Sequence, residues 1–285
     1  MNGSLAINLV AFVEQCIQTL ASLIKMMLLS KNVIGTESYT RHKEIVVLGN
    51  GPSLKSLIKN HKDFLREKSL LAVNYAVLSD YYTELRPHYY VVADSAFFLQ
   101  KDHCERLFGA LSTKTTWHLK LYLSMQAKKS RMWQEFLKSN DNIEVCYFNM
   151  TPIEGFRSFT HWVFKKGWGM PRPRNVLIPS IMMALRMSFE TIYVAGADHS
   201  WLKEIWVNDD NVVMEDLNHF YDKKGSERYV SDKHLHDLLL SMHIAFKSYH
   251  VIREYADTLG KQIYNVTEGS YIDAFVRKKL IDSNI

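Results

Sequence analysis

Glu44-Ile-Val-Val-Leu-Gly-Asn-Gly-Pro-Ser-Leu54 decides the fold. Its first five residues are mostly β-branched and continuously apolar, as a strand buried on both faces of a parallel sheet must be. Two glycines and a proline then force a tight turn, and the pattern resumes as a helix opening at Leu54. The same unit recurs outward along the chain. Leu70–Val73 runs into Asn74, and Tyr89–Ala93 runs into Asp94. A fourth strand is expected to begin near Thr116 and to include Trp117, and a fifth at 143–147 to end near Asn149. A helix over 176–188 leads to Thr191-Ile-Tyr-Val-Ala195 and then Gly196-Ala-Asp198. A long helix over about 231–259 stops at Gly260, followed by a strand at 262–266 and a short terminal helix. Strands alternating with helices predict an α/β fold, a Rossmann-like, mostly parallel sheet flanked by helices.

In such sheets ligands bind outside the carboxyl ends of the strands. Asn50, Asn74, Asp94 and Asp198 all fall at predicted strand ends, so they are the candidate ligand-binding residues. Gly49 and Gly51 let backbone approach closely, and free amides at a helix N-terminus attract phosphate. Ser53 either caps that helix or donates to a phosphate oxygen. The turn lacks the third glycine of a dinucleotide fingerprint and the Lys-Ser/Thr of a P-loop. Asp198, after Gly196, suits ribose hydroxyls or a metal; the alternative is a cap or turn residue. Arg174, beside Arg172 in Met-Pro-Arg-Pro-Arg-Asn175, is placed to pair with phosphates, or lies in a basic surface loop.

Residues 199–231 are polar, carry Asp209-Asp210-Asn211 and lack a clear period, which suggests a lid. A reaction that deprotonates a hydroxyl needs a base, so the 12 histidines matter. His219 falls inside the lid, and His234 and His236 open the long helix. These three lie in or beside the polar segment 199–231, next to the sheet's carboxyl edge, and are the candidate bases. No His/Cys set has metal-ligand spacing. Asp94, Asp209 and Asp210 are the carboxylates open to Mg²⁺, the 209–210 pair being more simply a solvated loop.

The first 43 residues differ from the rest. Residues 5–29 are the most apolar stretch, interrupted by Asn8, Gln15, Gln18, Ser22 and Lys25 at helical spacing, which leaves a narrow polar stripe on an apolar helix. No Lys or Arg precedes Lys25, unlike a signal peptide. Glu14 and its neighbouring glutamines would be costly at mid-bilayer, so spanning is disfavoured. The helix either lies in a membrane surface, with Lys25 and Lys31 reaching phosphates, or packs on the body or a second subunit. The domain reading is therefore an amphipathic helix at 1–30, a linker at 31–43 and a single α/β domain at 44–285. Charge is mild, +5, and basic residues are scattered, so nucleic acid is not an expected partner. Three distant cysteines give no disulfide framework.

Val47-Leu-Gly-Asn-Gly-Pro-Ser-Leu-Lys55 resembles the opening motif of the bacterial lipooligosaccharide sialyltransferases. The spacing to Asn74-Tyr75, to Asp80-Tyr-Tyr82 and to Ala93-Asp-Ser-Ala-Phe-Phe98 is similar too. So are Ser188–Asp198 and Ile263-Tyr-Asn-Val-Thr-Glu-Gly-Ser270. The glycine turn and Gly-x-Asp also look similar to the motility-accessory-factor glycosyltransferases and the 6-hydroxymethylpterin pyrophosphokinase-like proteins. The first resemblance implies a GT-A-like domain that binds a CMP-activated, sialic-acid-like sugar without a required metal. It implies a glycan or glycolipid acceptor of surface-polysaccharide or lipooligosaccharide assembly and a peripheral place on the cytoplasmic face of the inner membrane, with a homo-oligomer open. Asn50, Gly51 and Ser53 would face the CMP phosphate and sugar, Asn74 the nucleotide sugar, and Asp198 the cytidine. The chain departs from the family at Asp94, where the family has Asn, and at Arg174-Asn-Val-Leu-Ile-Pro-Ser180, which lacks the family's glycine. The pterin likeness implies instead an Mg²⁺-dependent pyrophosphokinase using Asp94 and Asp198. A non-catalytic nucleotide-binding module is the third reading.

Overall fold

The structure, a computed structural model, describes residues 2–33, 39–187, 189–217 and 227–280. Eight strands form one sheet: β1 (Glu44–Leu48), β2 (Ser69–Val73), β3 (Tyr89–Val92), β4 (Leu119–Ser124), β5 (Ile143–Phe148), β6 (Thr191–Ala195), β10 (Gln262–Asn265) and β11 (Val276–Arg277). Their order is β11-β10-β6-β1-β2-β3-β4-β5, and every pairing is parallel. The order runs outward from β1 to β5 on one side and from β1 through β6 on the other. The strand order therefore reverses at β1, which creates the crevice where α/β sheets hold ligands.

The central strands are buried throughout. Ile45, Val46, Val47, Val91 and Val194 have no exposed surface, as strands covered by helices on both faces require. One layer is built on α4 (Leu177–Arg186), whose residues Ile178, Ile181 and Met182 pack on β1 and β6, together with Tyr249 and Ile252 of α5 (Leu235–Thr258). α2 (Ser53–Asn60) covers the other face through Leu54, Leu57 and Ile58.

Four expectations are corrected. The fourth strand starts at Leu119, not near Thr116, because Trp117 turns away and donates its indole N–H to the Pro87 carbonyl at 2.9 Å. Among the described residues the last element is the short strand β11, which continues the parallel sheet beside β10, rather than a helix. The long helix opens at Leu235, with His234 as its N-cap residue. The described residues of 199–231 are not irregular. A short 3₁₀ turn, Ser200–Lys203, precedes β7 (Ile205–Val207), β8 (Val213–Leu217) and β9 (Glu227–Val230), which pair antiparallel as a separate small sheet. The Asp-Asp-Asn run is its hairpin turn: Asn208 Oδ1 accepts the N–H groups of Asp210 and Val212, and Asn211 takes a φ of 59°.

α1 (Asn2–Leu29) is tied to the body, and so are the described ends of the linker. Asn149, buried at 2% exposure, holds both the amide and the carbonyl of Lys31. Asn32 accepts from the Trp168 indole, and the Tyr39 ring packs at tilted and edge-on angles against His88, Tyr89 and His118.

Candidate functional site

A cavity of about 530 Å³ opens at the carboxyl ends of β1, β2, β3 and β6. Asn50, Gly51, Asn74, Asp94, Arg174, Gly196 and Asp198 all line it, so these seven sequence-chosen residues meet in one place. Tyr75 and Phe97, 4.9 Å apart between centroids, are its aromatic wall, and Trp201, Glu204 and His199 complete it.

The two glycine turns are packed against each other. Gly49 N–H donates to Ala195 O at 2.7 Å, and Gly51 N–H donates to Gly196 O at 2.9 Å. A Cβ on Gly51 would collide with the Asp198 carboxylate and the Gly196 carbonyl. Gly196 itself holds a φ of +63°, a conformation costly for any residue with a Cβ. The glycines thus serve the close approach of β1 and β6, and these two amides are spent inside the protein.

The same holds at the head of α2. Asp198 Oδ1 accepts the Ser53 N–H at 3.2 Å, and Asp198 Oδ2 accepts the Ser53 hydroxyl at 2.7 Å. A carboxylate at a helix N-terminus is favoured by the dipole and by the orphan amides there. Asp198 therefore caps α2 from across the crevice, the capping alternative in an unexpected form. Ser53 neither caps its own helix nor presents its hydroxyl to the cavity, so the expected phosphate cradle at this turn is already filled.

What the cavity offers instead is acceptors. Asn50 Nδ2 donates to the Val73 carbonyl at 3.3 Å, which fixes the amide orientation and leaves Asn50 Oδ1 buried without a partner. Asn74 holds a φ of 45° at the end of β2, its carbonyl accepting from the Tyr90 hydroxyl, and its Oδ1 is likewise buried and unsatisfied. An unpaired buried acceptor costs about 1–3 kcal/mol, and both of these oxygens belong to residues that line the crevice.

Charge is sparse. Asp94 is exposed at the end of β3; Oδ1 accepts the Ala96 N–H at 2.9 Å, and Oδ2 has no partner among the described residues. Arg174 is exposed and is the one arginine or lysine among the lining residues. Behind them lies a network that sequence reasoning did not weigh. His199, 7% exposed and at a φ of 52°, meets the Tyr249 hydroxyl at 2.6 Å, and that hydroxyl donates to Asn175 Oδ1 at 3.0 Å. Asn175 Nδ2 also lies 3.4 Å from His199 Nε2, so the three side chains form one closed network. Asn175 Oδ1 also accepts the N–H groups of Leu177 and Ile178, capping α4. Burial pulls the His199 pKa down to about 3, so the ring is neutral at physiological pH. Its position directly after Asp198 was the available signal.

His234 and His236 are exposed at the start of α5, stacked on each other at 5.7 Å, with His236 3.4 Å from Asp237. Neither lines the cavity, so the structure does not bring these two candidate bases to the strand ends. His219 lies outside the described residues. Among the described residues no three His, Cys, Asp or Glu side chains group together.

No family model matches the chain, and no curated protein does. Among solved structures it is similar to the MAf glycosyltransferase from Magnetospirillum magneticum AMB-1, at 12% identity and a TM-score of 0.50. The likeness covers 95% of this chain and 39% of that one, so the present chain spans well under half of its neighbour's length. At this identity what is shared is the fold, a Rossmann-like α/β architecture found in a glycosyltransferase.

Proposed function

We propose that the chain is a glycosyltransferase that takes a CMP-activated, sialic-acid-like sugar and transfers it to a surface glycan or lipooligosaccharide acceptor at the cytoplasmic face of the inner membrane. The observation that carries the reading is the pair of buried, unsatisfied oxygens of Asn50 and Asn74 in a crevice at the strand-order reversal. A nucleotide sugar brings donors suited to them, the exocyclic amine of cytosine and the sugar hydroxyls. Tyr75 and Phe97 offer a face for a ring, and Arg174 a cation for the phosphate.

In this reading Asp94 takes the base's role, since Asp198 is engaged by Ser53 and Glu204 by Ser200. The acceptor oxygen attacks the anomeric carbon as Asp94 Oδ2 receives its proton. The bond from that carbon to the phosphate oxygen breaks, and CMP leaves with the electron pair, its charge met by Arg174. The pyrophosphokinase alternative is weakened because its second Mg²⁺ carboxylate, Asp198, is the α2 cap.

Thermal-shift titration with CMP, UDP, GDP and ATP, each in EDTA and in Mg²⁺, tests the proposal. CMP should stabilise most, in EDTA as well, and Asn74→Gly, which keeps the backbone conformation, should weaken CMP roughly tenfold through one lost hydrogen bond. Stabilisation by ATP alone, only with Mg²⁺, would point to the pyrophosphokinase, and no response to any nucleotide would sink both.

A further inference from the structure

Outside this site lies a second cavity of about 600 Å³, and α1 forms part of its wall. α1 is docked in an inverted sense. Its polar stripe faces the protein: Ser22, 1% exposed, accepts the Glu154 N–H at 2.8 Å, Thr19 accepts the Phe156 N–H at 3.0 Å, and Ser30 bonds to Thr151 and to the Trp168 carbonyl. Its apolar side faces away, with Val10, Ile17, Leu20, Met27 and Leu28 each more than 60% exposed. At 100° per residue these and their neighbours cover an arc of about 160°, wider than the two-position seam of a coiled coil. Body contacts run from Phe12, against Phe156 at 5.5 Å, to Ser30, so the helix lies along the domain, although Asn8–Leu29 is by length and composition apolar enough to cross a membrane. A wide apolar arc held outward by a rigid body fits lipid tails, with Lys25 and Lys31 at the phosphate level.

The second cavity opens beside this helix, where Gln15 and Gln18 line it. α3 (Arg157–Lys166) and α5 supply the other walls. Its floor is apolar, with Ile153, Ile244 and Val251. Its walls are charged: Arg172 is paired with Glu154 at 2.7 Å, Arg157 stands 3.9 Å from Glu254, and Lys247 has no ion pair among the described residues. It also backs onto the first cavity. Arg172 lines the second while Arg174 and Asn175 line the first. On α5, Ser248 lines the second and donates to the Arg172 carbonyl, and adjacent Tyr249 holds His199 of the first.

We infer that this cavity is a subsite for a lipid-anchored acceptor, receiving the phosphate-bearing head of an amphiphile delivered from the membrane that α1 faces. An apolar floor with three cations against two carboxylates suits that chemistry, with Lys247, which has no ion pair among the described residues, and Arg157, only loosely held by Glu254 at 3.9 Å, as the side chains that grip the anion. The acceptor role rests on the glycosyltransferase reading; the binding site does not.

The test uses the full chain and octyl phosphate below its micelle concentration, measured by calorimetry against inorganic phosphate and octyl glucoside. One octyl phosphate should bind, at least roughly tenfold tighter than either control, and Arg157→Glu with Lys247→Glu should abolish this. Ile17→Asp with Leu20→Asp should lose binding to phosphatidic-acid vesicles while keeping octyl phosphate. Equal binding of inorganic phosphate would make the site one for free phosphate, equal binding of the glucoside would make it merely apolar, and unchanged binding by the charge-reversed variant would place the anion elsewhere; each overturns the inference. The CMP thermal shift, measured on the same variants, reports separately on the nucleotide reading, so the two fail independently.

Discussion

The two large cavities share the segment around Arg172–Asn175 but are built in opposite ways. The first is made of strand ends. Its backbone donors are spent, its glycines are packed against each other, and its buried acceptors are held rigid and unsatisfied. The second is made of helix flanks, with exposed, long, charged side chains over an apolar floor. A rigid site of strained and unpaired groups suits recognition of a defined ligand and transition-state chemistry. A wall of long charged side chains suits a variable, membrane-delivered partner. Substitutions in the first should therefore be costly to stability or turnover. In the second, charge changes such as Lys247→Glu should move stability by no more than about 0.5 kcal/mol.

The largest expected effect is on turnover. Asp94→Asn keeps the acceptor oxygen for Ala96 but removes the base, and transfer should fall by about 10²–10⁴-fold with the CMP shift retained. His234→Ala and His236→Ala should stay within a few-fold of the parent. A collapse in either histidine variant, with Asp94→Asn active, would return the base to the head of α5.

Next is the crevice floor. Gly51→Ala puts a methyl group into the Asp198 carboxylate and the Gly196 carbonyl, a backbone obstacle that cannot swing aside. It should cost about 3 kcal/mol in denaturant unfolding. A loss below about 1 kcal/mol would mean the two turns can separate, and the rigid half of the comparison would fail.

This contrast also explains what could be read in advance. Strand-and-turn units announce themselves through β-branched runs and glycines, so the parallel sheet and the meeting of Asn50, Asn74, Asp94 and Asp198 were legible before any coordinates. Roles were less legible than places. Asp198 follows a strand as a ribose ligand would, yet it caps a helix that starts 145 residues earlier, and no local pattern encodes that pairing. The glycine turn was expected to let backbone approach a ligand, but its Gly49 and Gly51 amides go to the Ala195 and Gly196 carbonyls. The second cavity has no motif at all, because it joins residues from α1, α3 and α5 whose only common signal is scattered charge. The polar stripe of α1 was visible, while the direction it faces is a tertiary fact.

His199 gives a pH signature of the rigid site. Its folded pKa of about 3 lies below the unfolded value of about 6.5, so between these the unfolded chain binds a proton that the folded chain does not. Stability from this group is complete above pH 6.5 and is lost as pH falls toward 3, at about 1.4 kcal/mol per pH unit. Between pH 6.5 and 5 the loss should be about 2 kcal/mol. The parent's melting temperature should fall more over that interval than that of His199→Gln, which cannot titrate. Equal slopes would mean that the ring is open to water and that the Tyr249–Asn175 network does not hold it.

The smallest effect decides the role of Asp198. Ser53→Ala removes one hydroxyl donor to a carboxylate that still accepts the Ser53 amide, so it should cost about 1 kcal/mol. Asp198→Asn weakens the same cap and leaves the amide NH₂ competing for one of its two positions, at a similar or slightly larger cost. If the pair acts only as a cap, the double variant should lose about as much as the larger single one, because both substitutions remove a single interaction. CMP should still stabilise all three variants. If instead Asp198→Asn alone abolishes the CMP shift while the two substitutions add independently in stability, Asp198 touches the nucleotide directly, and the cap seen here gives way when the crevice fills.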